Sequence, residues 1–375
     1  MKLFDTINTL DNRKEEYWDN FIKKIKKHPY VYLRWISESC DEAINFFNKN
    51  KIIIKWIFEL HPENYDYKYK WIDVLKQSYD NIDNQWAIVI TCSYYETIKN
   101  QLKINYKDIE NRLYMFDWYF LEDKKIIYYI DNKETILNCY NSLQDEKSKE
   151  IYNALLEYRY IRDPKLISKL YESRNDCYLD KIFIDNFKNW LYIDAGSYNA
   201  DFITTLAKRV DISKSEFYIF EPNIIFYNQI KENLDKWINY EIFNNALCNK
   251  DSTMEFMQIP SSTSHIIDKK YNAYKNSIDK KFIDTIQTNK LDTIIKDKSV
   301  KWIKVDIEGS EYSMLQGARE TIIKNRPIIL LSIYHKRDDL FKLQEYLINL
   351  KLNYKFYIRH YSLSVAKTIL YCIPK

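Results

Sequence analysis

Glycine is nearly missing from this chain. There are three in 375 residues, at positions 196, 309 and 317, and none in the first half. Proline is scarce as well, with seven. The six cysteines (40, 92, 139, 177, 248 and 372) stand singly without a CxxC pair, so neither a disulfide framework nor a zinc knuckle is suggested. A reducing compartment is the expected setting. Neither sign of charge dominates: 57 Lys and Arg against 53 Asp and Glu leave +4 over the whole chain, which is no footprint for nucleic acid. Basic runs such as KKIKK (23–27) are interleaved with apolar residues at helical spacing and read as solvated faces. No apolar run approaches the roughly 20 residues of a membrane span. The opening MKLFDTINTLDNRKEEY carries charges where a secretory signal needs its apolar core. A cytoplasmic protein is therefore expected, with no nucleic-acid partner and no membrane span.

What is present is apolar content enough (46%) for two cores. Lys, Ile, Asn and 34 Tyr crowd out glycine, and asparagine is expected to serve many left-handed turn positions. Each retained glycine is correspondingly informative.

The first third alternates strand and helix. A charged helix over residues 1 to about 28 precedes the strand VYLRWI (31–36) and the helix DEAINFFNKN (41–50). KIIIKWIF (51–58), QWAIVIT (85–91), the helix YETIKNQL (95–102) and RLYMF (112–116) continue the pattern. Residues 1–120 thus read as a degenerate Rossmann-like α/β domain with a small parallel sheet. Its first strand leads into SESC (37–40), where a nucleotide site would need a glycine-rich turn and where Glu38 takes a phosphate's place. Docking, homodimerisation or acceptor binding is the expected use. Residues 121–175 read as linking helices, and 176–375 as a second, larger α/β domain, with an irregular polar loop from 259 to about 281.

In this second domain four polar residues stand directly behind apolar strands: Asp194 after LYI, Glu221 after FYIF, Asp306 after WIKV and His335 after IILLSIY. The carboxyl ends of parallel strands share one edge, where ligands bind. One such residue only shows that a strand must end on something polar; four, together with the glycines, mark a cleft. Gly196 opens the loop after the first strand, where a missing Cβ lets backbone approach a ligand. Gly309 makes the turn after Asp306, with Ser310 as the N-cap. Gly317 lies inside a helix, at a cost of about 1 kcal/mol against alanine, which close helix packing would justify. Glu221 stands at the end of the next strand, in reach of a ribose diol, which suits NAD or S-adenosylmethionine. AGSYNA lacks the GxGxxG that a pyrophosphate needs, and this favours the phosphate-free S-adenosylmethionine.

The stretches IDAGSYNADF (193–202), FEP (220–222), NNALCNKD (244–251), LDTI (291–294), KVDIEGSEYSMLQGA (304–318) and RPIILLSIYH (326–335) follow one another at spacings that resemble the FkbM-type methyltransferases, within the class I S-adenosylmethionine-dependent enzymes. KVDIEGSE is the most specific piece. DEKSKEIYNALLEYR and YIRHYSL resemble a bacterial branch of that family. The resemblance implies a seven-stranded Rossmann-like sheet ending in an antiparallel hairpin, with S-adenosylmethionine over Gly196. It implies that Asp194 and Gly196 form the first loop, Glu221 holds the ribose and Ala246 lies near the adenine. Ser197, Tyr198, Asn199 and Pro222 fall in the same cofactor-binding stretches, and Asp306 and Glu308 would face the methyl group and acceptor. Position 200 departs from the family pattern, with alanine for its second glycine. Family members commonly methylate hydroxyls of sugars or polyketide-like products, so the resemblance implies O-methylation of a sugar, glycan or sugar precursor, in carbohydrate modification or polysaccharide biosynthesis.

His335 is the first choice of general base for the acceptor hydroxyl, since an unperturbed imidazole is largely neutral near pH 7. Asp306 is the alternative base, or else orients the histidine, and Glu308 is placed to accept hydrogen bonds from neighbouring sugar hydroxyls. His265, Arg359 and His360 are further candidates for acceptor binding. Asp306 and Glu308 are hard oxygen ligands, but two residues do not fix a metal site, and no required metal is expected. Two other readings stay open: a methyltransferase fold kept as a binding scaffold without turnover, and an NAD-dependent oxidoreductase, which the loop chemistry opposes.

Overall fold

The β-branched and aromatic runs form strands as their pattern requires, and pairing sorts them into three sheets. The computed structural model describes residues 7–36, 38–59, 62–76, 85–91, 95–106, 108–116, 126–184, 187, 190–259, 264–267 and 282–375. The chain divides into two compact units, Met1–Asn132 with Asn153–Tyr171 and Ser362–Ala366, and Lys133–Tyr152 with Glu172–Tyr361 and Lys367–Lys375. The expected linker 121–175 is therefore no unit of its own. Its helices Lys133–Ser142 and Glu146–Ile161 are divided between the two.

The first unit holds a six-stranded sheet of β1 (Val31–Arg34), β2 (Ile54–Glu59), β3 (Lys68–Tyr69), β4 (Ile72–Lys76), β5 (Ala87–Ile90) and β6 (Leu113–Met115), in the order β3-β4-β2-β1-β5-β6. All its pairings are parallel except β3 with β4, a hairpin the sequence reading did not anticipate. Alternate side chains of β1 enter two cores. Val31 and Leu33 pack with Phe47 from the helix Glu38–Lys49, while Tyr32 stacks on Trp56 and Trp86 of the other face. Ser37 and the Glu38 side chain, on which the turn after β1 was judged, lie outside the described residues.

The second unit is built on seven strands. They are β7 (Leu191–Ala195), β8 (Glu216–Phe220), β9 (Asn239–Phe243), β14 (Val300–Val305), β15 (Ile328–Ser332), β16 (Tyr354–His360) and β17 (Thr368–Pro374). Their order is β16-β17-β15-β14-β7-β8-β9, parallel throughout except for β17 against both its neighbours. Continuous apolar runs such as IILLS are the signature of strands covered on both faces, and every residue of β7 and β15 is buried. Across three strands Tyr192 stacks on Phe217 and packs at a tilt against Trp302. A smaller sheet of β10 (Ala246–Leu247), β11 (Ser252–Met257), β12 (His265–Ile266) and β13 (Ile283–Asn289) was not foreseen. It gives the polar loop from 259 a short strand at His265. Residues 260–263 and 268–281 of that loop lie outside the described residues.

The expected single helix after Gly309 is two, Glu311–Gly317 and Arg319–Asn325. A Cβ on Gly317 would sit 1.9 Å from the carbonyl oxygen of Cys248, so only glycine lets the first helix run against the chain just after β10. Close packing is thus the reason for that residue.

Candidate functional site

The carboxyl ends of β7, β8 and β14 converge on a cavity. At its centre lies the turn after β7. Gly196 has φ +76°, and a Cβ there would meet the carbonyl oxygen of Asp306 at 1.9 Å. The glycine is thus required by the neighbouring strand's backbone, whose Asp306 amide donates to Ala195 O at 3.0 Å, and not only by a ligand. Ala200 adopts a left-handed φ of 63°, where alanine is strained. It is buried and does not line the cavity.

Asp194 lies behind this loop rather than at the cavity wall. Fully buried, it accepts from Ser197 Oγ at 2.7 Å and pairs with Lys304 Nζ at 3.0 Å, and the same ammonium donates to the Gly196 carbonyl. Asp194 and Ser197, expected as cofactor contacts, therefore brace the loop, and neither lines the cavity. Asn199 is exposed, its side chain accepting from the Asp201 amide at the start of a helix. Of the three loop residues only Tyr198 reaches the wall, its ring against Phe226.

Glu221 and Pro222 line the cavity as expected. The Glu221 carboxylate accepts the Tyr198 amide at 2.8 Å and the Asn223 amide at 2.9 Å, so its direction is fixed by backbone on both sides. Burial pushes its pKa up to about 7, against the lowering effect of those two bonds and of Lys304. Ala246 forms part of the same wall, beside Asn245 and Leu247. Phe256 and Ile266 of the small sheet line it too, and His265 joins them from β12. Asn245 falls among the neighbours of Ala246 expected near the adenine, whereas Phe226, Phe256 and Ile266 escaped the sequence reading; nothing local marks Phe256 and Ile266, which the small sheet brings to the cavity.

Asp306 and Glu308 close the opposite side. Asp306 is held by four donors: Tyr178 Oη (2.7 Å) and Lys367 Nζ (3.0 Å) on Oδ2, Ser332 Oγ (2.9 Å) and Tyr334 Oη (2.8 Å) on Oδ1. Burial alone would raise its pKa, but Lys367, His335 and Lys304 hold it far below the usual carboxylate range. Glu308 sits in left-handed backbone (φ 53°), a conformation that turns its side chain off the line of β14.

His335 is where the structure departs most from expectation. Its side chain is 4% exposed and is not part of the cavity wall. Nδ1 lies 2.7 Å from Glu311 Oε1, and Nε2 lies 3.4 Å from both Asp306 Oδ1 and Glu308 Oε1. Burial alone would lower its pKa, but Glu311 and Glu308 outweigh burial and hold it well above the usual value. An imidazole already protonated near pH 7 has no lone pair for a hydroxyl proton, so His335 is not the free general base expected of it. Glu311, wholly buried and also accepting the Ile307 amide at 3.1 Å, was missed although it stands inside KVDIEGSE. Lys304 was legible in principle, as a charge in the middle of a buried strand.

Arg359 and His360 are placed elsewhere. Arg359, buried, is clamped by Asp145 (2.7 Å) and Asp180 (3.0 Å), and His360, also buried, shares a 2.9 Å hydrogen bond with Thr368 Oγ1. Both were expected to bind the acceptor; both hold β16 in place, and neither lines the cavity. No helix among the described residues is long and apolar enough to cross a membrane.

Comparison with known proteins agrees with this geometry. Residues 194–356 match the family model of the methyltransferase FkbM domain. The crystal structure of methyltransferase FkbM from Methylobacillus flagellatus KT superposes with a TM-score of 0.64 over 97% of this chain and 98% of that one, at 14% sequence identity, a likeness of fold. No curated protein matches the chain.

Proposed function

We propose, from the methyltransferase FkbM domain over residues 194–356, that the second unit transfers a methyl group from S-adenosylmethionine to a hydroxyl of a sugar, glycan or sugar precursor. The observation that carries the reading is the charge of the cavity wall. It presents Glu221, Asp306 and Glu308, and among its described residues no lysine or arginine. Lys304, Lys367 and His335 stand behind these carboxylates, so what faces the cavity is acceptor oxygen, which suits a cationic sulfonium better than a pyrophosphate. The strand order, with its antiparallel last pair, suits the class I methyltransferase sheet and supports the same reading.

The residues present fit this donor. Glu221, oriented by two amides, keeps lone pairs for a ribose diol. Ala246, Leu247, Phe226 and Ile266 offer apolar surface to an adenine, with the Asn245 amide beside them. S-adenosylmethionine, when bound, supplies a methyl group already electrophilic. The chain's own part is to hold an acceptor oxygen in line and to receive its proton, and positioning of this kind supplies several kcal/mol of a barrier. Asp306, saturated by four donors and strongly ionised, is a poor proton acceptor. Glu308 Oε1, at the wall and beside the His335 cation, is the carboxylate that takes the proton, with His335 steadying it. Carboxylates on both sides of the cavity suit an acceptor rich in hydroxyls.

The test is binding and turnover together. S-adenosylhomocysteine at a hundredfold over its dissociation constant should stabilise the chain by about 2.7 kcal/mol in thermal denaturation, and NADH should not. Glu221→Ala should lose most of that shift; a mutant that responds like the parent would sink the ribose assignment. Labelled S-adenosylmethionine with sugar and glycan acceptors separates an enzyme from a scaffold, which would bind the donor and transfer nothing.

A further inference from the structure

The expectation of no required metal rested on two carboxylates alone, and the fold adds a third ligand from another strand. Asp306 and Glu308 follow β14, His335 follows β15, and one donor atom from each lies within 4.8 Å of the others. We propose that these three residues bind a divalent cation at the acceptor side of the cavity.

Three observations support this site. First, His335 Nε2 is buried yet makes no hydrogen bond, although the side chain is 96% buried and aimed between two carboxylates. Its 3.4 Å separations are too long for an N–H···O bond, which prefers about 2.7–3.2 Å. They match the roughly 3.0–3.4 Å between two donors that share one ion at bonds of about 2.1 Å. Second, Nδ1 is tied to Glu311, the carboxylate–histidine arrangement that fixes the tautomer and points the other nitrogen at a metal. Glu311 is wholly buried and does not line the cavity, so it acts through the histidine and the Ile307 amide. Third, Asp306 can make room by giving up one bond whose donor keeps a partner. Ser332 Oγ lies 2.8 Å from Tyr178 Oη, so turning its hydroxyl toward the tyrosine frees a lone pair on Asp306 Oδ1. The ion takes the place of the Nε2 proton, which leaves to solvent.

Two carboxylate oxygens and one imidazole suit a hard-to-borderline ion such as Mn²⁺. Asp306 and Glu308 line the cavity, so the ion's remaining positions face it. There the ion, in place of the His335 cation beside Glu308, would coordinate the acceptor hydroxyl and lower its proton affinity. That role rests on the methyl-transfer reading; the binding itself does not.

The experiment titrates Mn²⁺ into the full chain and follows the free-ion signal by electron paramagnetic resonance. One Mn²⁺ per chain is expected, with binding at least tenfold weaker in Glu308→Gln and in His335→Gln. Glu308 is partly exposed, so its variant keeps the test meaningful even where the buried histidine's variant fails to fold. S-adenosylhomocysteine binding is measured on the same samples. Stoichiometric Mn²⁺ lost in Glu308→Gln supports the site, whether or not S-adenosylhomocysteine binds. No stoichiometric Mn²⁺ in the parent, or undiminished binding in Glu308→Gln, overturns it, and intact S-adenosylhomocysteine binding would then leave the methyl-transfer reading standing.

Discussion

Glu221 carries the ribose assignment and also a titration. Its pKa is raised from 4.5 to about 7 chiefly by burial, so the fold disfavours its charged form. The sign follows. Its contribution to stability is full below the unfolded value near 4.5 and is lost as pH rises toward about 7. A ribose diol donating to the carboxylate favours the charged form, so S-adenosylhomocysteine should bind more tightly as pH rises from 6 to 8, by up to tenfold per unit below pH 7. Titration calorimetry at several pH values checks this, and Glu221→Gln should flatten the profile. Gly196 carries a different kind of necessity. Adding a Cβ there combines left-handed strain with a clash against the Asp306 carbonyl, so Gly196→Ala should destabilise by about 2–5 kcal/mol in denaturant unfolding. Ala200→Gly, at a buried left-handed position with no clash to relieve, should stay within about 1 kcal/mol.

Strand β16 shows how residues that look functional become structural once elements are assembled. YIRHY reads as a polar stretch with two acceptor-binding candidates, yet β16 pairs with β17 along its length and buries Arg359 and His360. Arg359 then meets Asp145 and Asp180, one just before the helix Glu146–Ile161 and one just before the helix Lys181–Ile184. Arg359→Met should cost about 2–4 kcal/mol in denaturant unfolding, because two carboxylates lose their cation. Its effect on any acceptor's KM at equal folded fraction should be nil; a specific rise in KM would restore the binding role the sequence suggested. The turn from β14 into the helix at Glu311 behaves oppositely. Val305, Asp306, Glu308 and Glu311 are close in sequence, and the turn sends two of their carboxylates to the cavity and one to the histidine behind it.

Across the molecule, local pattern determined the strands, their parallel alternation with helices, and the four polar residues at the carboxyl ends of β7, β8, β14 and β15. It did so because strand period, apolar continuity and retained glycines act over a few residues, where sequence and structure are the same object. Gly309 and Gly317 were legible for that reason, and so was Glu221 at the cavity. The small sheet, the hairpin of β3 and β4, and the division of the chain into units were decided by pairings between distant segments that no short window contains. Electrostatics was decided the same way. Residues 178, 332, 334 and 367 are scattered along the chain, and only when they converge on Asp306 does its ionised form become so strongly preferred. His335 looked like a free base from its strand end alone. Burial among three acids from neighbouring turns gave it a charge instead, since a pKa belongs to everything that surrounds a group in space and not to its neighbours in sequence.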